Sequence, residues 1–577
     1  MDTIEFLMQN QLFKIQRDPY YSSAYSLLPS LALIKKSGFF EDKLTEPVSA
    51  LPQFSAQWFT TPVYKIINNL KNKSAKNEGR HVVLLTTGSF CPVHKSHIEM
   101  MELAKIELEH LGYIVLGGYL SPSHDAYVSD KCKQQTLSGL HRLRLCEEAT
   151  FNSDWLVTDS WEALHTPTAI NFTDVIIRLE HYLAHHVKSD NTIEIVYVFG
   201  SDNADFAYAF IGHGHCVCIE RPGYEKNFAA LQLNPLIYNN ANIILSAEST
   251  VQPGYSSQKI RQGEDEAMTE RVKEIFRMWQ TKQATLPTVK KAIYYLRNEG
   301  SWAYAIWLKG RNEQTLALAW NDFIEALCVL FHKQFINVSL PDDPFDLEIQ
   351  QLYLSQQYEQ AAVLMKGKKV LSLDPCIEGE VNIGVSRCFF AGVGIHRPQL
   401  IARPGWNSLE AQIQAIPAGE YVLFDDDIVT GTTIKKIMNL LPAHIKIQQI
   451  ISLVDIARDQ SKGLNALDVS DCRDFLAGAN EAGMVLQLPN EKLARVPYML
   501  PYVYPSDRAS TPLSSDTQLS YELWKINFDF FKKIHPVIML KDSHFAFQEM
   551  MFYLGFTETD SMQSICQWHM DRLLGKP

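Results

Sequence analysis

Two histidines stand three residues apart in the stretch TTGSFCPVHKSHIE, which covers residues 86–99. The stretch follows the apolar run HVVLL and contains a glycine turn, so it predicts a buried strand, a turn and a helix that begins between residues 92 and 96. The start of a helix offers unpaired N–H groups and the positive end of the helix dipole, which favour an anion. His94 and His97 would lie on nearly the same face and could donate hydrogen bonds to phosphate. A lone histidine at a helix start is usually a solvated side chain, but this combination indicates a phosphate site.

A second stretch, EYVLFDDDIVTGTTIKK at residues 420–436, has an apolar strand, three acidic residues and a loop of small residues that opens a helix. Asp426 and Asp427 could accept hydrogen bonds from the two hydroxyls of a ribose, whereas Asp425 is expected to point elsewhere. The loop could bind a phosphate, because glycine permits close backbone approach and hydroxyl groups add donors. The loop residues are Thr430, Gly431, Thr432 and Thr433. Two alternatives stay open: an acidic cluster that binds magnesium without a sugar, and an exposed loop.

Short apolar runs alternate with longer helical patterns in two parts of the chain, residues 79–285 and 286–510. Strands separated by helices of this length predict parallel β-α-β units, so the expected fold class is α/β with two parallel-sheet domains. Residues 1–78 and 511–577 are predicted to be mainly helical segments, with a polar linker at 69–79. The aromatic C-terminal segment could be a dimer surface or a cap over the second domain, which leaves a homo-oligomer open.

Composition and charge argue against several classes of protein. The chain has 577 residues, 46% hydrophobic content and a formal net charge of -12 with dispersed basic residues, which disfavours nucleic-acid binding. The N-terminus lacks the basic start of a signal peptide, and no apolar run approaches the length of a membrane span. The ten cysteines include no CxxC pair. We therefore expect a cytoplasmic protein with reduced thiols and no structural zinc.

The first stretch resembles the GxFxPxHxxH signature of nucleotidyltransferases, and six further motifs resemble nicotinamide mononucleotide adenylyltransferases of the eukaryotic type. These motifs occur in the family's order over about residues 80–280. They are LSPSHDAY (120–127), LHRLRLCEEAT (140–150), SDWLVTDSWEAL (153–164), VFGSDNADFA (198–207), CIERPG (218–223) and YSSQKIR (255–261). The resemblance implies a Rossmann-like domain that uses ATP as the adenylyl donor.

The same resemblance implies roles for individual residues. His94, His97 and Arg261 would be catalytic, because they would hold and neutralise the ATP phosphates. The residues that contact ATP and the nucleotide substrate would be Gly88, Ser89, Phe90, Gly200, Asp202, Ser256 and Ser257. Trp161 would stack on the pyridine ring, since an aromatic face suits a flat cation. Magnesium would assist as the cofactor, with no side chain assigned as its ligand.

Two features depart from the family pattern. A second ring-stacking tryptophan is absent, and Phe206, Tyr208 or Phe210 could substitute for it. Gln258 stands where the SSTxIR element has threonine. Both changes bear on recognition of the base more than on binding of the phosphates.

The second stretch resembles the phosphoribosyl pyrophosphate motif of type I phosphoribosyltransferases, over about residues 370–510. The resemblance implies that Asp426, Asp427 and the 430–433 loop bind phosphoribosyl pyrophosphate. In that family a flexible hood binds the base, and residues 471–485 lie at a suitable distance to supply it.

Within this hood, Asp474 and Phe475 are the candidate base-pocket residues, and an ordinary loop is the alternative. Arg387 or Arg403 would hold pyrophosphate, and the sequence does not choose between them.

Together the two resemblances predict a bifunctional enzyme of nucleotide metabolism. Its first domain would transfer adenylyl from ATP to nicotinamide or nicotinate mononucleotide, releasing pyrophosphate and an NAD-type dinucleotide. Its second domain would use phosphoribosyl pyrophosphate with an unknown base. Two alternatives are transfer to another phosphate or a protein acceptor, and a regulatory protein that senses phosphoribosyl pyrophosphate.

Overall fold

The chain divides into two compact units between residues 286 and 287, which we call unit 1 and unit 2. A computed structural model supplies the structure. It describes residues 60–73, 79–132, 137–166, 168–212, 214–247, 255–284, 291–336, 346–390, 399–429, 431–462, 466–505, 509 and 516–574. Each unit is described by itself.

Unit 1 contains a six-stranded sheet with the order β3-β2-β1-β4-β5-β6, and all neighbouring strands are parallel. The strands are β1 (His81–Gly88), β2 (Ile114–Pro122), β3 (Leu156–Thr158), β4 (Ile193–Gly200), β5 (His215–Ile219) and β6 (Ile243–Ser246). The helices are α1 (Tyr64–Lys73), α2 (Lys95–His110), α3 (Asp125–Cys132), α4 (Gly139–Thr150), α5 (Trp161–Leu164), α6 (Phe172–His186), α7 (Glu225–Gln232), α8 (Pro235–Tyr238), α9 (Ser257–Arg261) and α10 (Glu270–Ala284), with 3-10 turns at Ser201–Phe210 and Asp265–Ala267. This is the predicted Rossmann-like arrangement.

Helices cover both faces of this sheet, as the continuous apolar runs of its strands require. Along β1, Val83 and Leu85 pack into one core while Val82 and Leu84 pack into the other, since successive side chains of a strand point to opposite faces. The predicted helix start between residues 92 and 96 is confirmed, because α2 begins at Lys95.

The predicted linker at 69–79 is wrong for its first five residues, which belong to α1. Ile66 of α1 is buried in the core of unit 1, and Asn69 donates a side-chain hydrogen bond to the Leu116 carbonyl at 3.0 Å. Apolar residues at helical spacing therefore outweigh the polar composition of this stretch. Residues 1–59 and 74–78 of the expected helical N-terminal segment lie outside the described residues.

Unit 2 is also α/β, but its parallel strands are divided between two sheets, β10-β9-β13-β14 and β15-β7-β8. A third sheet, β12-β11-β16-β17, is mixed. The strands are β7 (Lys291–Asn298), β8 (Asp346–Tyr353), β9 (Val370–Ser372), β10 (Val381–Asn382), β11 (Val385–Phe390), β12 (Gln399–Ala402), β13 (Gly419–Ile428), β14 (Ile445–Asp455), β15 (Ala466–Asp471), β16 (Met484–Gln487) and β17 (Leu493–Val496). The fold class predicted from the sequence is confirmed.

The helices of unit 2 fill the spaces beside these sheets. They are α11 (Ser301–Tyr304), α12 (Glu313–Ile336), α13 (Leu354–Met365), α14 (Leu409–Gln414), α15 (Thr432–Leu440), α16 (Ile456–Ser461), α17 (Asp516–Lys532), α18 (Phe545–Tyr553) and α19 (Met562–Leu573), with 3-10 turns at Ala305–Trp307, Cys472–Phe475 and Leu540–Asp542. One segment of the described chain, Glu313–Lys333, is long and apolar enough to cross a membrane, contrary to the expectation that no apolar run approaches that length. Phe323, Leu327 and Phe331 of this helix are buried in unit 2, as in a core helix.

The helical C-terminal segment packs into unit 2. Trp524 is fully buried, and Trp307 contacts the rings of Phe530 and Phe531 at centroid distances of 5.7 and 5.5 Å. Asn527 donates to the Phe475 carbonyl at 2.8 Å. These helices therefore support the loop that follows β15.

Candidate functional site

The strand order of unit 1 reverses direction between β1 and β4, and ligands of open parallel sheets bind outside the carboxyl ends of the strands at such a point. β1 ends at Gly88 and β4 ends at Gly200, so the predicted 88–90 turn and the Gly200–Asp202 element follow adjacent strands. The fold thus brings together two motifs that are more than a hundred residues apart in the chain.

The histidine pair lies at the start of α2. His94 and His97 stack with ring centroids 3.7 Å apart and an interplanar angle of 27°. The His94 backbone N–H donates to Nδ1 of His97 at 3.1 Å, which assigns the proton of a neutral His97 ring to Nε2. Nδ1 of His94 is buried and has no hydrogen-bond partner among the described residues. Both rings therefore keep hydrogen-bonding capacity for a ligand.

The surroundings of the histidine pair are positive. Burial and the nearby Arg221 lower the pKa of His94 to about 3. Burial lowers the pKa of His97 as well, with further contributions from His94, Arg221 and Lys131. Both imidazoles are therefore neutral at pH 7 in the free protein. A bound polyanion would raise their pKa values, since it favours the charged form.

This low pKa predicts a pH-dependent stability of unit 1. The unfolded chain protonates His94 near pH 6.5 and the folded chain only near pH 3, so stability is complete above pH 6.5 and is lost as the pH falls below it. At pH 5 the loss amounts to ~2 kcal/mol from His94 alone. Denaturant unfolding at pH 8 and pH 5 should show a smaller pH dependence in His94→Gln than in the wild type. Equal losses in both proteins would contradict the prediction.

The turn at 88–90 is held by Arg142, which sequence reasoning missed. Its guanidinium is fully buried and donates to the carbonyls of Ser89 at 2.9 Å and Ser123 at 2.5 Å, and to Asp125 at 2.8 Å. Phe90 has a positive φ of 40° and packs edge-on against His97 at 4.9 Å. The Ser89 hydroxyl is buried without a partner in the described chain. The HRLR motif that contains Arg142 was recognised, but its sequence did not indicate this role.

The Gly200–Asp202 element is joined to a second missed residue, Arg221. The Arg221 guanidinium donates to Asp202 Oδ2 at 2.7 Å, while Asp202 Oδ1 is buried without a hydrogen-bond partner in the described part of the chain. A Cβ at Gly200 would lie 2.4 Å from Arg221 Cδ and 2.6 Å from Asp202 Oδ1. Glycine is therefore required for this ion pair to form over the end of β4.

Helix α9 packs beside the histidine turn. Arg261 donates to the Cys91 carbonyl, and the Ser257 hydroxyl donates to the Pro92 carbonyl at 2.8 Å. The Ser256 hydroxyl accepts from the Lys259 N–H at 3.2 Å. These bonds place Ser256, Ser257 and Arg261 next to the segment that leads into α2.

Trp161 is buried, with 3% of its surface exposed, and the Arg178 guanidinium lies 4.9 Å from its ring. Its indole N–H has no hydrogen-bond partner among the described residues. Of the proposed substitutes for the absent tryptophan, Phe210 is in the core, whereas Phe206 and Tyr208 are half-buried. Phe206 stacks on Phe172 with centroids 4.6 Å apart. The structure thus leaves Phe206 and Tyr208 as the accessible rings of this group.

Part of unit 1 is similar in sequence to known proteins. The Cytidylyltransferase-like family matches residues 85–263. A nicotinamide/nicotinic acid mononucleotide adenylyltransferase of Arabidopsis thaliana is 33% identical over 197 residues, which are 31% of this chain and 79% of that protein. The chain belongs to the nicotinamide/nicotinic acid mononucleotide adenylyltransferase family.

Other members of this family match over shorter ranges. The protein of the same name from Oryza sativa subsp. japonica is 41% identical over 121 residues, 21% of this chain and 47% of that protein. The second such adenylyltransferase of Xenopus tropicalis is 46% identical over 89 residues, 15% of this chain and 28% of that protein. The chain thus spans less than half the length of these two relatives. A solved structure of UMP synthase from Leishmania donovani aligns with 71% of this chain and 94% of its own chain at 11% identity. The TM-score of 0.13 is too low to indicate a shared fold.

Outside the part that matches the adenylyltransferase family, unit 2 has a cavity of about 540 Å³ at the carboxyl ends of β9, β13 and β15. Most of the residues predicted for a phosphoribosyl site line it. They are Asp426, Asp427, Gly431, Thr432 and Thr433, together with Arg387, Arg403 and Asp474. Asp425 lines the cavity as well, so the expectation that it points elsewhere is wrong. Thr430 lies outside the described residues. Gly431 adopts the left-handed conformation that a glycine accepts readily, with φ 66°, and α15 begins directly after it.

A buried charge network forms the floor of this cavity, and sequence reasoning missed most of it. Arg297 of β7 is 1% exposed, pairs with Asp426, and lies 3.0 Å from Asp374 and 3.8 Å from Asp471. Burial and the neighbouring carboxylates raise the pKa values of Asp427 and Asp471. Oxygens of Asp426, Asp427 and Asp471 all lie within 4.8 Å of one another, a donor set that suits Mg²⁺.

The prediction of Phe475 as a base-pocket residue is wrong. Its side chain is fully buried and packs edge-on against Phe331 at 5.3 Å and Tyr498 at 6.0 Å. Asp474 does line the cavity, and its Oδ1 accepts from the Gly483 N–H at 2.8 Å. Within residues 471–485, Asp474 thus faces the cavity and the ring of Phe475 packs into the core.

Proposed function

We propose that unit 1 transfers the adenylyl group of ATP to nicotinamide or nicotinate mononucleotide, yielding an NAD-type dinucleotide and pyrophosphate. The observation that carries this proposal is the His94–His97 pair at the carboxyl end of β1, within a positive environment and next to the Asp202–Arg221 pair at the end of β4. The family membership supports the choice of substrates.

The reaction needs no covalent protein intermediate, because the phosphate of the mononucleotide is itself the nucleophile toward the α-phosphorus of ATP. The protein then acts by aligning the reactants and stabilising negative charge on the departing pyrophosphate. Nε2 of His97 and the Arg261 guanidinium supply donors, and Asp202 Oδ1 accepts from a ribose hydroxyl. Among the described residues of unit 1, no group of three acidic or imidazole side chains could hold a metal ion. Magnesium bound to the triphosphate would help to neutralise its charge.

Identification of the reaction products tests this proposal. Purified protein is incubated with Mg²⁺, ATP and either mononucleotide, and the products are identified by mass spectrometry beside a His94→Ala/His97→Ala double variant. The dinucleotide should form with the wild type and be lost in the double variant. If ATP stays intact with both mononucleotides while the protein still binds ATP, the proposal fails in favour of another phosphate or a protein acceptor.

Replacing Trp161 should weaken binding of the mononucleotide and leave binding of ATP unchanged. Trp161→Leu removes the aromatic face expected under the pyridine ring and should raise the KM for the mononucleotide by about tenfold, with the KM for ATP unchanged. Steady-state kinetics with each substrate varied in turn measures both values. Trp161→Phe is the matched control, because it keeps an aromatic ring and should have the smaller effect. An equal rise in both KM values would assign Trp161 a purely structural role.

We propose further that unit 2 binds phosphoribosyl pyrophosphate with Mg²⁺ and transfers its phosphoribosyl group to a base. The support is the cavity that joins the acidic end of β13 to the start of α15. Asp426, Asp427 and Asp471 would hold the magnesium ion. Such a unit would make a mononucleotide, the class of substrate that unit 1 is proposed to consume.

Calorimetry with Mg²⁺ and phosphoribosyl pyrophosphate tests this second proposal, with Asp427→Asn as the comparison. Saturable binding that is weakened in the variant supports it, and release of pyrophosphate that depends on a base establishes transfer. Binding without any base-dependent release would favour a sensor of phosphoribosyl pyrophosphate.

A further inference from the structure

One wall of the unit 2 cavity carries two buried arginines that lie outside the 420–436 stretch. Arg403 follows β12 and Arg495 lies in β17, so both come from the mixed sheet rather than from the strand and helix of the motif. Each is 6% exposed, and both line the cavity. A guanidinium buried to this degree requires an anion or a full set of acceptors.

Among the described residues, only one of the two guanidinium groups is paired with a carboxylate. Arg403 Nη1 lies 3.4 Å from Glu481 Oε2. Arg495 makes no ion pair within the described part of the chain; its Nη1 donates to the carbonyls of Glu481 at 2.8 Å and Gly483 at 3.3 Å, and its Nε has no hydrogen-bond partner there. The guanidinium of Arg495 therefore has no directly paired carboxylate in the described part of the chain.

The neighbouring arginine of the same cavity differs in this respect. Arg473 pairs with Asp471 at 2.5 Å and with Glu299 at 3.2 Å, so its charge is compensated inside the protein. Burial lowers the pKa of Arg495 to about 10; the nearby carboxylates of Glu481 and Asp474 oppose this shift only in part, and Arg403 and Arg473 add to it. The environment of Arg495 is therefore short of negative charge, which is the condition that a bound anion corrects.

The cavity lining also includes apolar side chains that a flat ring can pack against. Met484, Val485 and Tyr498 line the cavity, and the first two are at most 3% exposed. Pyrophosphate would gain nothing from such a surface. Arg387 is exposed and lines the cavity near Asp425, where it partly opposes the rise in the pKa of that carboxyl that burial causes. It is therefore better placed to meet pyrophosphate at the phosphoribosyl end.

We infer that the base used by unit 2 is a ring that carries an acid group, and that Arg495 and Arg403 bind this anion. The inference rests on the proposed phosphoribosyl transfer and specifies its second substrate. A neutral base would leave the unpaired charge of Arg495 buried beneath it, whereas a carboxylate would form a charge-assisted pair.

Matched pairs of bases test the inference. Nicotinate is compared with nicotinamide, and orotate with uracil, by pyrophosphate release from phosphoribosyl pyrophosphate and Mg²⁺ on the full-length protein. At least one acid should react with a kcat/KM on the order of 100-fold above that of its neutral partner. Arg495→Gln should remove this advantage and leave the Kd for phosphoribosyl pyrophosphate unchanged, which also shows that the variant is folded. Arg495→Lys should keep part of the preference.

Several outcomes would overturn the inference. Neutral bases could react as well as the acids, or Arg495→Gln could weaken phosphoribosyl pyrophosphate or pyrophosphate instead of the acid. If no base reacts, calorimetry of the acids in the presence of phosphoribosyl pyrophosphate decides: binding that Arg495→Gln abolishes supports the inference, and no binding overturns it. Phosphoribosyl pyrophosphate binding is measured separately, so failure of the proposed function and failure of the inference are told apart.

Discussion

Replacing His94 or His97 with alanine should lower kcat/KM for adenylyl transfer by about 10²–10³-fold, because each change removes a hydrogen-bond donor aimed at charge that develops on the phosphates. The two rings stack at 3.7 Å and are linked by the bond from the His94 N–H to His97, so each variant also disturbs the other ring. The double variant should therefore lose less than the product of the single losses. Initial rates with saturating mononucleotide measure the effect.

His110→Ala is the matched control. It removes an exposed histidine at the other end of the same helix, α2, and should leave kcat/KM unchanged. Circular dichroism and unfolding of all variants separate loss of catalysis from loss of fold. Single variants with wild-type rates would remove the histidine pair from the mechanism.

The proton balance of ATP binding gives an independent measure of the same residues. Since both histidines are neutral in the free protein and a triphosphate favours the imidazolium, ATP binding near pH 6 should take up protons. Calorimetry in two buffers of different ionisation enthalpy reports the number taken up, and His94→Ala should reduce it.

Local patterns predicted the parts of both sites that lie within one strand, turn and helix. The start of α2 and the acidic end of β13 followed from apolar runs, a glycine and polar residues at fixed spacing. Arg142 and Arg297 were missed because their partners are distant in sequence: Arg142 bonds Ser89 across 53 residues, and Arg297 bonds Asp426 across 129. Strand order decides such contacts, and no short motif encodes it.

The local sequence pattern also does not predict which side chains of a segment face the ligand. Phe475 and Asp474 are adjacent, yet one lies in the core with Phe331 and the other lines the cavity. The C-terminal helices determine this orientation, because Asn527 holds the Phe475 carbonyl. An aromatic residue beside small ones is typical of a binding pocket and of a core alike, so only the tertiary contacts distinguish them.

Arg297→Met should destabilise unit 2 by roughly 3–5 kcal/mol, because it removes the cation from a buried network and leaves the carboxylates without compensation. The side chain donates to Gln357 at 2.7 Å and to Asp374 at 3.0 Å, and it also pairs with Asp426. Scanning calorimetry of the full chain measures this loss in the unfolding transition of unit 2. That transition is the one that ATP does not shift, since ATP is expected to bind unit 1.

Lys533→Met is the matched control in the same unit. Lys533 pairs with Asp322 at 2.8 Å, but both side chains are about half exposed, so this pair should contribute less than about 1 kcal/mol. Equal effects of Arg297→Met and Lys533→Met would show that the buried network contributes no more than a surface pair.

The pH dependence of Arg297→Met separates loss of charge from loss of packing. Burial already raises the pKa of Asp374 although Arg297 is beside it, and removing the cation raises that pKa further. A carboxyl whose pKa is higher in the folded state than its unfolded value of about 3.9 destabilises the fold as the pH rises. The loss in free energy of unfolding caused by Arg297→Met should therefore be smaller at pH 5 than at pH 8. Adding Asp426→Asn should recover part of the loss at pH 8, because it removes one of the uncompensated charges. A deficit that is independent of pH, with no recovery in the double variant, would mean that Arg297 acts through the packing of its aliphatic chain and not as the counter-ion of the cavity floor.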